Sequence, residues 1–115
     1  MQKDTLFLLR PGFEDPAFPG QQFYCWHCAM LEGLLASFPG LASSIEVHRI
    51  EWARPRHVLV ELAGEEHQSL PLLILREGES SAYRTGHHNG LSFVNHIDAI
   101  LSVLRERHGV PVAHP

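Results

Sequence analysis

Apolar residues along this chain follow two rhythms: short unbroken runs, and stretches in which they recur every three or four positions. Thr5–Leu9 is the first short run, closed by Arg10-Pro11-Gly12. A run of that length between turn formers predicts a buried strand. Leu31, Leu34, Leu35 and Phe38 follow with helical spacing, which predicts a helix over Trp26–Phe38, stopped by Pro39-Gly40. A second strand is expected over Ile45–Trp52, with Ile45 and Val47 on one face and Ile50 and Trp52 on the other. Pro55 suits the first turn of a second helix, where its missing N–H would be unpaired anyway. Val58, Leu59 and Leu62 give that helix an apolar face, and Gly64 ends it. Leu72–Leu75 reads as a third buried strand, Glu77-Gly78-Glu79 as a turn, and Ser81–Thr85 as a short strand returning in a hairpin. Gly90–His108 reads as a long amphipathic helix with Phe93, Val94, Ile97, Ile100, Leu101 and Leu104 as its buried stripe. Gly109 and Pro111 end it, and residues 110–115 are expected to be a frayed tail.

The order strand, helix, strand, helix, strand, strand, helix predicts one α/β domain over residues 1–115. A βαβ unit with a right-handed crossover is followed by a helix and a ββα unit. The expected core is a mixed four-stranded sheet with helices on both faces. Pro11–Gln22 is a loop by composition, holding Pro11, Pro16 and Pro19 with Gly12 and Gly20. It is long for a loop without structure of its own, and Phe13, Phe18 and Phe23 favour ordering. It is either a lid or a surface insertion.

Composition narrows the function classes. With 44% hydrophobic and 19% charged residues, the 115-residue chain belongs with globular domains and not with disordered ones. A formal net charge of -4 and the lack of any Lys/Arg run argue against a nucleic-acid partner. No apolar stretch approaches the roughly 18 residues of a membrane span. Thr5–Leu9 is too short for a signal-peptide core, so a cytoplasmic protein is expected. In a reducing compartment a close cysteine pair is more often catalytic or metal-binding than a structural disulfide.

The only two cysteines form Cys25-Trp26-His27-Cys28, where the first helix should begin. Free N–H groups and the positive dipole end at a helix start favour a thiolate at the first cysteine. Cys25 is thus the candidate nucleophile and Cys28, one turn deeper, the resolving thiol. His27 lies inside the motif, and a cation there would stabilise the thiolate, hence the reduced form, and make the disulfide more oxidising. The expected reduction potential lies above a value of about -270 mV. Trp26 is read as an exposed aromatic that contacts substrate, and Tyr24 as a shield or hydrogen-bond partner of the thiolate, or simple packing. Arg54 and Arg56 could attract the carboxylates of glutathione, or merely open a solvated helix. A different chemistry is also open. A structural zinc needs four ligands; Cys25 and Cys28 supply two, and His87 or His88 could supply more.

The element order, with three landmarks, resembles the thioredoxin superfamily from about Thr5 to His108. The landmarks are Cys25-Trp26-His27-Cys28 at the first helix, Pro71 before the third strand, and Thr85-Gly86-His87-His88 between the last strand and last helix. Leu70-Pro71-Leu72-Leu73 is similar to the matching stretch of glutaredoxins and of the glutathione-transferase N-terminal domain. The Cys-X-His-Cys arrangement resembles protein disulfide isomerases more than thioredoxins. The resemblance implies a thiol–disulfide oxidoreductase with protein or glutathione disulfides as substrates and no organic cofactor. It also implies a cis Leu70–Pro71 bond facing the cysteines, with Leu70 presenting its backbone to substrate and Gly86 nearby. Superfamily members also serve as binding modules without catalysis, so a non-catalytic interaction module is the third reading. An exposed sheet edge would allow a monomer or a homodimer. The superfamily's buried carboxylate has no recognisable counterpart here.

Overall fold

The first apolar run forms the central strand. In the computed structural model, which describes residues 2–115, β1 (Thr5–Leu9) is buried along its whole length. On one side it pairs in parallel with β2 (Glu46–Ile50), and on the other it runs antiparallel to β3 (Leu72–Ile74). A strand flanked on both edges and covered on both faces gives a polar side chain no route to water. That is why its apolar residues run on without alternating. β5 (Leu91–Val94) pairs antiparallel with β3, and β4 (Gly86–His88) with β5. The sheet order is β2-β1-β3-β5-β4. The α/β class and mixed sheet are as expected, but the sheet has five strands and not four, because β4 adds an outer edge.

Helices cover both faces. Cys28, Leu31 and Leu35 of α1 (Trp26–Ser37) pack with Leu41 of α2 (Pro39–Ser44) and Ile100, Val103 and Leu104 of α4 (Ile97–His108). They cover the sheet face that bears Leu6, Leu8, Leu73 and Val94. The opposite face bears Phe7, Leu72, Ile74 and Phe93, and receives Leu59 and Ala63 of α3 (His57–Ala63). Neighbouring strand residues point to opposite faces, so alternate positions within the strands build two different cores, while Leu9 at the end of β1 joins the first.

The two ends of the domain meet at Asp4. This carboxylate is 1% exposed. It accepts Arg107 Nε and Nη2 at 2.7 and 3.0 Å, His108 Nε2 at 2.8 Å, and the Arg76 N–H at 2.8 Å. The segment before β1 is thereby tied to the end of β3 and the last turn of α4.

Several expectations are corrected. Ser81–Thr85 is not a strand; the hairpin turns at Asn89-Gly90, with φ of 50° and 80°. Two consecutive left-handed residues make the tight turn that matches strand twist, and Asn-Gly is its preferred pair. The last helix therefore starts at Ile97, not Gly90, and Phe93 and Val94 lie on β5 facing opposite cores. Pro39-Gly40 ends α1 but also opens α2, with Pro39 in its first turn. Pro55 precedes α3 and does not lie in its first turn, and Val58 is 39% exposed while Leu59 and Ala63 face inward. β2 ends at Ile50, so Trp52 leaves the strand's alternation and packs against the first core, stacked on Phe13. Val110 is not frayed. Its N–H donates to the Leu104 carbonyl after a left-handed Gly109, and its side chain is buried.

Candidate active site

Cys25 is the N-cap of α1. Its backbone is extended (φ -84°, ψ 116°), and its sulfur accepts the Cys28 N–H at 3.2 Å. An N-cap side chain normally satisfies one orphan N–H with oxygen, and here sulfur takes that place. The first turn carries no acidic residue, so nothing else offsets the positive end of the helix. Both cysteines are free thiols; Cys25 is half-buried and Cys28 is 2% exposed. The Cys28 sulfur accepts the Leu9 N–H at 3.4 Å from the end of β1. Burial above all, then the hydrogen bond with Cys25 and the charges of Cys25 and Glu32, push the Cys28 thiol up to about 12. The Leu9 N–H only partly opposes them.

Leu70–Pro71 faces this pair, and its peptide bond is cis, as is Arg54–Pro55. The Cys25 sulfur lies 4.0 Å from the Leu70 carbonyl oxygen. Pro71 is buried and leads directly into β3, while Leu70 is half-buried between the two cores. A cleft of about 160 Å³ reaches both cysteines, walled by Leu9, Pro11, Tyr24, Ala29 and Glu32. A larger apolar groove of about 450 Å³ lies between α1, α4 and residues 110–113, but neither cysteine lines it.

Tyr24 and Trp26 bracket Cys25 and are 65% and 67% exposed. Tyr24 walls the cleft without a hydrogen bond to either sulfur. The His27 ring lies against Trp26, with centroids 3.8 Å apart, and among the described residues it too makes no hydrogen bond to a sulfur. The 11–22 loop is ordered as its aromatics led one to expect. Phe13 and Phe23 exchange backbone hydrogen bonds, and Phe13 stacks on Trp52 and meets Phe23 at a tilt. Of this loop, Pro11 alone reaches the cleft.

The 85–88 segment does not line this cleft. Gly86, His87 and His88 form β4, at the sheet edge two strands beyond β3. A Cβ on Gly86 would sit 2.4 Å from the buried Phe93 ring, so its small size serves packing there. His87 is exposed and His88 lies beside Gly64. Among the described residues no three His, Cys, Asp or Glu side chains gather to hold a metal ion.

Two features escaped the sequence reading. Glu32, one turn beyond Cys28, lines the cleft and is gripped by Arg49 of β2 through two hydrogen bonds of 2.8 and 2.6 Å. Their positions on a helix and a neighbouring strand gave no local signal of pairing. Arg56 does not open a solvated helix: it is 6% exposed and bonded only to neighbouring loops. Arg54 is exposed.

No helix of the described residues is long and apolar enough to cross a membrane. Comparison with curated proteins and with solved structures yields no match. A family model described as a protein of unknown function (DUF3088) matches residues 3–112. That span covers the sheet, all four helices and both cysteines, so the chain belongs to the DUF3088 family.

Proposed function

We propose that the chain is a cytoplasmic, thioredoxin-like thiol–disulfide oxidoreductase. The observation that carries this reading is the Cys25 sulfur, which caps α1 through the Cys28 N–H while facing the Leu70 carbonyl and cis-Pro71. Cys25 attacks a substrate disulfide. A new Cys25–substrate bond forms, and the other substrate sulfur leaves as a thiolate and takes up a proton. Cys28, one turn deeper, then attacks the Cys25 sulfur. The Cys25–Cys28 disulfide forms and the second substrate thiol departs, so the protein has lost two electrons and the substrate has gained them. Leu70 offers backbone to an extended peptide or to glutathione. Trp26 and Tyr24 offer exposed aromatic surface beside the nucleophile, and the His27 ring lies against Trp26.

The test is a thiol count after equilibration in glutathione buffers of graded potential, with metal analysis of the same sample. The expected result is interconversion of Cys25 and Cys28 between dithiol and disulfide, with a midpoint above about -270 mV. Thiols that resist oxidation would overturn the reading. Zinc in that sample would then favour metal binding at the cysteine pair, and its absence would favour a fold kept for interaction alone.

A further inference from the structure

The apolar groove of about 450 Å³ between α1, α4 and residues 110–113 is separate from the cysteine cleft. Consecutive residues of α1 divide the two: Ala29 walls the cleft, and Met30, roughly 100° further round the helix, lines the groove. Met30 and Val112 are exposed there, at 39% and 67%, and Leu34 and Leu101 are half-buried. Apolar residues gathered on one exposed patch mark a contact surface, whereas scattered ones do not.

The polar lining of the groove comes from one stripe of α4. Asp98, Leu101, Ser102 and Arg105 follow i, i+3, i+4, i+7 and so share a helix face. Among the described residues neither Asp98 nor Arg105 has an ion pair or a side-chain hydrogen bond. Two turns of helix hold them about 10 Å apart, too far to pair with each other. The helix dipole accounts for the acid in the first turn and the base in the last. It does not account for both lying on the face that carries the apolar groove.

This stripe is its own complement. Turned end for end about a point midway between Leu101 and Ser102, Asp98 falls on Arg105 and Leu101 on Ser102. A twofold axis does the same to two copies of the chain, so Asp98 of each meets the partner's Arg105. Leu101 then meets the partner's Ser102, which is small enough to let the helices come close. Helices laid parallel would instead set acid on acid and base on base.

We propose that a second copy of this chain closes the groove, its α4 lying antiparallel on α4 about that axis, so that the protein is a homodimer. The cysteine cleft shares no lining residue with the groove, and the inference stands whether or not the protein is an oxidoreductase.

The test is the mass of the 115-residue chain by sedimentation equilibrium over a concentration series up to about 1 mM. Reductant is present throughout to exclude disulfides between chains. The expected mass is that of a dimer. Asp98→Arg would set two arginines together at both ends of the contact, and Arg105→Asp two aspartates. Each should weaken the dimer by about tenfold or more, because two ion pairs become two repulsions. Mixed in equal amounts, the two variants should associate as tightly as the unmodified chain, since every arginine then faces an aspartate. The double variant should dimerise again, although both its charges now oppose the helix dipole and lower its denaturation midpoint. A role in helix stability alone would rank the double variant worst in both measurements. Ser102→Lys should also give a monomer, and it decides if a reversal does not fold. A monomer at every concentration, a dimer untouched by the reversals or by Ser102→Lys, or a mixture no tighter than its components would overturn the inference. So would a small apolar molecule found by native mass spectrometry on a monomer.

Discussion

The Cys28 backbone N–H donates to the Cys25 sulfur at 3.2 Å, so the residue that would react is also the residue that starts the helix. Chemistry and secondary structure share one atom. Cys25→Ser keeps an acceptor at that position and should leave stability nearly unchanged. Cys25→Ala removes it and should cost about 1 kcal/mol, within the range for losing a cap. Urea denaturation of the two reduced variants measures the difference, and equal midpoints would show that the sulfur does not cap.

The unlike settings of the two thiols predict an order of labelling. Cys25 is half-buried at the cleft, whereas Cys28 is buried and its thiol is pushed up to about 12 by burial and by its neighbours. Only the thiolate alkylates readily. A brief pulse of iodoacetamide near neutral pH should therefore modify Cys25 almost alone, read by peptide mass. Modification of Cys28 at a comparable rate would contradict the assigned roles.

The Trp26 ring lies against His27 and is two-thirds open to water, at 67% exposure. Trp26→Ala should shift stability by less than about 0.5 kcal/mol, as for most surface changes. It should nonetheless slow exchange with peptide disulfides. Unchanged rates with both peptide and glutathione disulfides would remove Trp26 from the substrate surface.

The Asp4 cluster predicts an acid limb to the stability curve. Burial alone would raise the Asp4 carboxyl. Hydrogen bonds from His108, Arg107 and the Arg76 N–H, with the Arg107 charge, outweigh it and hold the group well below the usual carboxylate range. A group depressed in the folded state contributes stability that is complete above its unfolded value, about 3.9, and is lost as pH falls toward the folded value. Denaturation midpoints should therefore drop below about pH 4. Asp4→Asn should flatten that limb, and should cost about 3 kcal/mol at neutral pH by taking the buried counter-charge from the half-buried Arg107. A variant with the same acid dependence as the parent would show that other carboxylates set it.

How far the sequence could be read depended on range. The β1 run, the α1 periodicity and the Cys25–Cys28 spacing are local signals, and each marks an element or pair that the structure contains. Phe93, Val94 and Ile97 satisfied helical spacing by accident, because a strand that buries both faces followed by a helix mimics one long apolar stripe. The Asn89-Gly90 pair was the better guide, since its two left-handed residues specify a tight hairpin. Arg56 lay beyond local reading. A basic residue near a proline and a helix start looks solvated, and only the fold brings the Trp52 and Gln68 carbonyls around it. The Glu32–Arg49 grip is non-local in the same way.

The added strand β4 has a consequence for how this domain keeps company with other chains. Without it the sheet would end at β5, whose Ser92, Phe93 and Val94 are buried, and their backbone groups would form an open template for any extended segment. Three residues close that template, and two of them are histidines. The opposite margin, β2, carries Glu46, His48 and Arg49, whose charged and polar side chains discourage another strand from pairing along it. Both borders of the sheet are thus blunted against unplanned strand pairing, one by brevity and the other by charge.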